Sequence, residues 1–258
     1  MDRSLTRRAA VLGAERTGKT RILAHHHSNP TIPGEPPEPH PPTRGFVYYP
    51  RVLLNVGVGP ARGDAGDEER VWEVSLALDE VGSRTHKEHL DRRLLAHVDA
   101  FVLCFRGSDR ASYLAMWSAW WPYAVRCILA AQEQHRRPFV VFLDTDTYSD
   151  PGARRASCNA HARDMAAIMP PESFLFFDID AAHAPDAASA VMFMWTRVAE
   201  QMVVQELAAR ADAAAARRAS SRPPRWGPWR ALGAAAAALR RCWRPAESSD
   251  EELLEKTV

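Results

Sequence analysis

The feature of this chain that most restricts its fold is a short pattern with two glycines near the amino end. Residues 13–20 read Gly-Ala-Glu-Arg-Thr-Gly-Lys-Thr and match the phosphate-binding loop pattern G-x-x-x-x-G-K-[ST] at every defined position. In such a loop, glycines let successive backbone N–H groups point at an anion. The lysine reaches the β- and γ-phosphates of a nucleotide, and the hydroxyl that follows it binds Mg²⁺. We therefore predict that a nucleotide is held by Gly13, Ala14, Glu15, Arg16, Thr17, Gly18, Lys19 and Thr20, with Thr20 also a metal ligand.

The residues on either side of this pattern favour a strand before it and a helix after it. The apolar run Ala-Ala-Val-Leu at 9–12 is typical of a buried strand, and residues 20–24 can open a helix. The amino end of that helix then faces the same phosphates, because its first N–H groups have no partner inside the helix. A glycine turn followed by a surface helix is the alternative, and the strand–loop–helix context disfavours it.

Composition narrows the class of protein. The chain has 258 residues, of which 46% are hydrophobic and 25% charged, enough for a globular core. Its net charge of +1 argues against a protein that coats nucleic acid. The four cysteines form no C-x-x-C pair, which argues against a zinc site or a disulfide framework and favours an intracellular chain. We expect no signal peptide and no transmembrane segment, because no apolar run approaches about 18 residues.

Apolar runs elsewhere predict the order of strands and helices. Two runs, at 46–56 and 71–78, predict a hairpin, with Pro50 at an edge or a bulge. Continuous apolar runs predict buried strands at 100–105, 138–143 and 174–179, and further helices are predicted at 160–169 and 187–219. Strands that alternate with helices predict an α/β fold, with a mostly parallel, six-stranded sheet and helices on both faces.

The helix after the first of these buried strands carries a tryptophan cluster. Ser108 or Asp109 can cap its start, and Pro122 predicts a kink. The cluster comprises Trp117, Trp120 and Trp121. We expect that these three cannot all face one way on a helix, which leaves two interpretations. The one we favour is a core packed against the sheet, and the other is a partly exposed partner surface.

A second group of residues can complete the nucleotide site. Asp79 and Gly82 form a D-x-x-G pattern at the end of the second hairpin strand, where a carboxylate can hold Mg²⁺ and a glycine N–H can approach the γ-phosphate. Thr43, just before the hairpin, can close onto Mg²⁺ and the γ-phosphate in the triphosphate state alone. Thr31 is the alternative for this role, and we prefer Thr43 because Gly45 leads directly into the strand.

In these residues the chain resembles the Ras-like small GTPases over roughly residues 7–205. Within that superfamily it is most similar to the Rab-like GTPase subunit of the intraflagellar transport B complex. Four features carry the similarity: Pro42-Thr43-Arg44-Gly45 before a hydrophobic strand, Leu78-Asp79-x-x-Gly82, Met116-Trp117, and a long carboxyl-terminal helix without a prenylated cysteine.

The resemblance implies a P-loop NTPase with the Ras-like three-layer fold, in which residues 1–216 form the nucleotide-binding domain. It also implies GTP or GDP and Mg²⁺ as cofactors, and coiled-coil subunits of the intraflagellar transport B complex as partners. The implied location is the cytoplasm and the cilium or flagellum with its base. Under this hypothesis the protein is an assembly or regulatory subunit, and nucleotide orders the Thr43 loop and the hairpin into a partner surface.

Residues 217–258 differ from the rest of the chain in composition. They begin with a basic linker, continue with two tryptophans and an alanine-rich run, and end acidic. We expect a disordered, low-complexity tail. The alternative is a basic amphipathic helix over 226–243 that makes weak contact with a membrane surface or a partner.

Departures from the Ras-like pattern limit the expected chemistry. Ser83 stands where the family has a glutamine that orients the attacking water, and serine is too short for this, so we expect slow hydrolysis at most. The stretch after the fifth strand lacks the N-K-x-D pattern that reads guanine, although Asp144 or Asp146 could accept from the guanine edge. Guanine preference is therefore implied by the resemblance alone.

Two other functions stay open at this point. The first is a catalytic P-loop kinase or ATPase, for which Arg154 and Arg155 are candidate lid residues. The second is a pseudo-GTPase scaffold that binds no nucleotide. The intact pattern at 13–20 argues against that scaffold.

Overall fold

The apolar runs of the sequence form the strands of one sheet. The computed structural model describes residues 3–27, 45–58, 70–82, 97–133, 136–145, 164, 173–179 and 187–218. The strands are β1 (Ser4–Gly13), β2 (Phe46–Val58), β3 (Arg70–Val81), β4 (Ala100–Phe105), β5 (Phe139–Asp144) and β6 (Phe174–Asp178). Every residue of β4 and β5 is buried, as continuous apolar runs covered on both faces predict.

The strand order across the sheet is β2-β3-β1-β4-β5-β6. β2 runs antiparallel to β3, and every other neighbouring pair is parallel. The predicted α/β fold with a mostly parallel, six-stranded sheet is therefore confirmed. β2 lies at the edge, and its register with β3 shifts between Tyr49 and Val52, around Pro50. Both the edge position and the bulge follow from the missing N–H of proline.

The described helices lie between these strands or, in the last case, after them. They are α1 (Lys19–His27), α2 (Arg110–Ala115), α3 (Trp121–Gln132) and α4 (Ala187–Arg218). Asp109 caps α2, because its carboxylate accepts a hydrogen bond from the Ala111 N–H at 3.0 Å. The helix predicted over 160–169 lies outside the described residues apart from Asp164, which is helical.

Apolar side chains alternate between two cores, one on each face of the sheet. On the first face, Val11 of β1 packs in a cluster with Ile22 of α1 and Trp195 of α4. On the second face, the neighbouring Leu12 packs in a cluster with Ile128 of α3. α1 and α4 therefore cover one face, and α3 with the turn before it covers the other. Apolar residues that recur at helical spacing along α4 are buried or half-buried: Val191, Trp195, Val198, Met202 and Leu207.

The tryptophan cluster belongs to the second core, so the favoured interpretation is confirmed. Trp120 and Trp121 are 2% and 7% exposed. Trp117 is half-buried, and its ring centroid lies 6.0 Å from that of Phe142 on β5. All three tryptophans thus pack in one core, contrary to the expectation that a single helix face could not hold them.

A π-helical turn, Met116–Trp120, explains this packing. It joins α2 to α3, and the Trp121 N–H donates to the Met116 carbonyl. The wider turn adds a residue and so redirects the side chains that follow. The irregularity predicted at Pro122 therefore lies one turn earlier. Pro122 itself occupies the first turn of α3, where a missing N–H breaks no helical hydrogen bond.

α4 continues to Arg218, just beyond the predicted domain boundary at 216. The predicted tail from 219 onward lies outside the described residues. Among the described helices, none is long and apolar enough to cross a membrane.

Candidate functional site

The candidate site lies beyond the carboxyl end of β1, which is flanked by β3 on one side and β4 on the other. The chain passes from β1 through α1 to the β2–β3 hairpin on one side, and later to β4 on the opposite side. In an open parallel sheet, such a reversal leaves a crevice at the carboxyl ends of the strands, and ligands bind there. Residues 13–20, hereafter the glycine loop, lie at this place.

Both glycines of the glycine loop stand where another residue would be strained. A Cβ on Gly13 would lie 2.5 Å from the Cys104 carbonyl oxygen, closer than real Cβ atoms approach. Gly18 has a φ of +75°, and a Cβ there would lie 3.3 Å from the Thr145 side chain. Arg16 also adopts the left-handed conformation, with a φ of 63°, which is uncommon for a residue with a Cβ. The loop therefore curls tightly against the ends of β4 and β5.

The Lys19 ammonium is enclosed by the glycine loop that precedes it. Its Nζ donates hydrogen bonds to Gly13 O at 2.9 Å and Ala14 O at 2.7 Å, and the residue is 5% exposed. Burial lowers the pKa of Lys19, while neighbouring acidic groups that include Glu80 act in the opposite direction. An ammonium has three N–H donors, and within the described part of the chain these two carbonyls are its acceptors. One donor is thus left for an anion at the mouth of the loop.

Thr145, the residue after β5, ties the glycine loop to the sheet. Its hydroxyl lies 2.8 Å from Thr17 O and 3.2 Å from Phe105 O, as donor to both, and its own N–H donates to Phe105 O. Thr17 is fully buried and donates from Oγ1 to Ala14 O at 2.9 Å. Sequence reasoning missed Thr145, because a single threonine after a strand matches no motif. The sequence feature that could have indicated it is its position just after β5, which is a buried apolar strand.

Thr20 contacts a carboxylate that the sequence patterns did not single out, that of Glu80. The Thr20 hydroxyl donates to Glu80 Oε1 at 2.8 Å, and the Tyr49 hydroxyl donates to Glu80 Oε2 at 2.9 Å. Glu80 is 1% exposed. Burial and then the Glu80 charge raise the pKa of Tyr49, which keeps its phenol protonated as a donor.

Asp79, the predicted metal ligand, lies on the opposite face of β3, because neighbouring residues of a strand point to opposite faces. It is 4% exposed, and its Oδ2 lies 3.2 Å from the Arg8 Nε. Burial raises the pKa of Asp79, and the Arg8 charge opposes this. The signal that would have found Glu80 was present in the alternation of β3, where Trp72, Val74, Leu76, Leu78 and Glu80 are all buried on one face.

The other predicted site residues lie elsewhere or outside the described part of the chain. Asp144 is fully buried, and its Oδ1 accepts from the Gly107 N–H at 2.9 Å, so it fixes the turn after β4. The Gly82 N–H donates to Gly45 O at 2.7 Å, where it closes the end of the hairpin. Thr43 and Asp146 lie outside the described residues, as do Thr31, Ser83, Arg154 and Arg155.

The oxygen donors beside the glycine loop fit Mg²⁺ better than a transition metal. Mg²⁺ is held by one or two carboxylates together with phosphate oxygens and water, and the Thr20 hydroxyl with the Glu80 carboxylate supplies the protein share of that set. Across the described residues there is no group of three or more His, Cys, Asp and Glu side chains that could hold a metal ion by itself.

Comparison with known proteins does not assign this chain to a family. No protein-family model matches it, and no curated protein matches it significantly. What the protein does is therefore inferred from the residues around the glycine loop.

Proposed function

We propose that this chain binds GTP or GDP together with Mg²⁺, as a divergent Ras-like small GTPase. The observation that carries the proposal is the Lys19 ammonium, buried inside a tightly curled loop that leads directly into α1 at the carboxyl end of β1. A loop of this kind and the amino end of the helix behind it together attract phosphate. The strand order and the single antiparallel strand at the sheet edge are also consistent with a Ras-like layout.

Each residue then has a defined task at the phosphates. Lys19 donates its remaining N–H to a phosphate oxygen, and the first N–H groups of α1 add further donors. Thr20 binds the cation through its hydroxyl, and Thr145 and Thr17 hold the loop in the curled form. Mg²⁺, when bound, neutralises phosphate charge.

Slow or absent hydrolysis belongs to the same proposal. Ser83 follows Gly82 in place of a glutamine, and a serine side chain does not reach far enough to orient an attacking water. We therefore propose an assembly or regulatory subunit of intraflagellar transport, with coiled-coil subunits as partners, acting at the cilium or flagellum. The support for this partner class is the sequence resemblance around Thr43 and Asp79.

A second candidate is a P-loop kinase or ATPase, and one observation favours keeping it. Asp144, which was predicted to read the guanine edge, is fully buried and accepts from the Gly107 N–H. A group that reads a base must face the base. An adenine nucleotide is therefore the competing ligand.

Identification of the bound nucleotide tests the proposal. The protein is purified and denatured, and the released nucleotide is analysed by chromatography. In parallel, nucleotide-free protein is titrated by calorimetry with GTP, GDP, ATP and ADP in the presence of Mg²⁺. Guanine nucleotide supports the proposal, and adenine nucleotide supports the second candidate. If folded protein binds none of the four nucleotides, the chain is an α/β scaffold that holds no nucleotide.

A further inference from the structure

Two neighbouring acids at the end of β3 sit in different surroundings. Glu80 accepts the Thr20 hydroxyl hydrogen bond at 2.8 Å, on the face of the sheet that α1 covers. Asp79 lies on the other face, 3.2 Å from the Arg8 guanidinium. A carboxylate that already contacts Thr20 is placed to act on any cation that the Thr20 hydroxyl binds. A carboxylate that is paired with an arginine on the opposite face is not placed to act on that cation.

Tyr49 fixes the orientation of the Glu80 carboxylate. Its hydroxyl donates to Oε2 at 2.9 Å, while Thr20 occupies Oε1. Partners that orient an acidic ligand usually affect metal affinity strongly, because they fix its geometry in advance. Tyr49 belongs to β2, so this contact also links the edge of the sheet to the glycine loop.

We propose that Glu80, rather than Asp79, is the acidic residue of the Mg²⁺ site, and that Tyr49 is its positioning residue. This inference rests on the proposed nucleotide binding. It replaces the acid of the D-x-x-G pattern with the next residue along the strand. Glu80 serves the cation either directly or through a water, since a carboxylate can do both.

The Mg²⁺ dependence of nucleotide binding tests the assignment. Protein stripped of nucleotide is titrated with a non-hydrolysable GTP analogue, once in Mg²⁺ and once in EDTA, and the ratio of the two affinities is the Mg²⁺ gain. Glu80→Gln keeps the size and the acceptor for Thr20 but removes the charge, so the gain should fall roughly 10- to 100-fold. The affinity in EDTA should stay the same or rise, because a negative charge near the phosphates is gone. Asp79→Asn, the matched control, should keep the wild-type gain.

The opposite pattern would overturn the assignment. If Asp79→Asn loses the gain and Glu80→Gln keeps it, Asp79 is the metal acid. If the affinities of Glu80→Gln fall equally in Mg²⁺ and in EDTA, Glu80 has a structural role only. If Glu80→Gln does not fold by circular dichroism, Tyr49→Phe decides, because it removes one hydroxyl and should still lower the gain. An unchanged gain in Tyr49→Phe would contradict the proposal.

Failure of the proposed function looks different from failure of this inference. Wild-type protein that binds no guanine nucleotide in either buffer overturns both. Wild-type protein that binds equally well in Mg²⁺ and EDTA overturns the inference and leaves nucleotide binding intact.

Discussion

The sheet has one end at which its parallel strands begin, here called the first edge, and one at which they end, the second edge. Charged residues have different partners at these two edges. At the beginning, Arg7 pairs with Glu206 of α4, and Arg136 pairs with Asp99 before β4 at 3.0 Å. These partly exposed groups line a cavity of about 230 Å³. At the end, the Lys19 ammonium is almost fully buried, and its two acceptors are backbone carbonyls. At the first edge charged side chains pair with one another. At the second, the Lys19 ammonium donates to backbone carbonyls, and the nearby Glu80 carboxylate accepts from Thr20 and Tyr49.

This difference teaches how to separate a structural charge cluster from a binding site. Partly exposed ion pairs contribute little, about 0–1 kcal/mol each, and need no ligand. A buried ammonium is costly unless it is paired or hydrogen-bonded, and a buried charge with a shifted pKa beside a crevice is a candidate for a functional site. The number of arginines alone would favour the first edge as the binding site, whereas the burial of Lys19 favours the second.

The largest expected effect comes from Lys19→Met, which keeps the length of the side chain and removes its charge. Nucleotide affinity should fall about 100-fold, because charge-assisted hydrogen bonds contribute about 1.5–3 kcal/mol each. Calorimetry with GTP and GDP measures this. Arg137→Ala at the other edge, paired with Asp212, is the control and should leave affinity unchanged. Equal losses of nucleotide affinity in the two variants would contradict the difference between the two edges.

Gly13→Ala should destabilise the fold by about 1–3 kcal/mol, since the new Cβ would meet the Cys104 backbone, which cannot move aside. The free energy of unfolding in urea measures this. Gly45→Ala is a matched control, because Gly45 also has a positive φ, +74°, but no atom of the described residues lies within 4 Å of a Cβ there. Gly45→Ala should lower the free energy of unfolding only through the strained backbone conformation, by about 1 kcal/mol. A larger cost at Gly45 than at Gly13 would contradict the tight approach of the loop to β4.

Thr145→Val removes the hydroxyl that holds Thr17 O, and should cost about 1 kcal/mol in unfolding free energy. Amides of the glycine loop should exchange faster with deuterium, and nucleotide affinity should fall a few-fold. Thr196→Val on α4 is the control, since its hydroxyl donates to Met192 O one turn back in the same helix and to no other described residue. If both variants leave loop exchange unchanged, Thr145 does not anchor the loop.

The smallest effect belongs to the first edge. Burial alone would raise the pKa of Glu206, but the hydrogen bond from Arg210 and the charge of Arg7 hold it below its usual value. A lowered pKa means that the charged form stabilises the fold at neutral pH and that this contribution is lost as the pH falls through the folded pKa. Glu206→Gln should therefore cost less than about 1 kcal/mol at pH 7, and less still in acid or high salt. Denaturation at several pH values checks this, and a cost that grows in acid would contradict it.

Most of the fold could be predicted from the sequence because buried runs are unambiguous. β4 and β5 are continuous apolar segments, and Pro50 in the sequence indicates an edge strand or a bulge. The π-helical turn at Met116–Trp120 could not be predicted, since one extra residue in a helix leaves the apolar content unchanged.

The candidate site could be predicted only where a linear pattern describes it. The glycine loop matches such a pattern, and its glycines occupy the strained positions that the pattern demands. Glu80 and Thr145 reach the loop from β3 and from the end of β5, so their roles depend on tertiary contacts. Asp144, one of two candidates to accept from a guanine edge, is fully buried, and its Oδ1 accepts from the Gly107 N–H, a partner that no local pattern reveals.

The alternation along β3 has a chemical consequence. In the ladder, Asp79 is opposite Ala10 and Glu80 is opposite Val11. A slip of β3 by one position against β1 would turn Asp79 to the face that carries Thr20 and Glu80 to the face that carries Arg8. Burial of Leu76 and Leu78 opposes that slip, because the slip would move both leucines out of the core on the α1 and α4 face and onto the opposite face of the sheet. The hydrophobic core thereby selects which acid lies beside Thr20, and one inserted or deleted residue in this strand would change the selection.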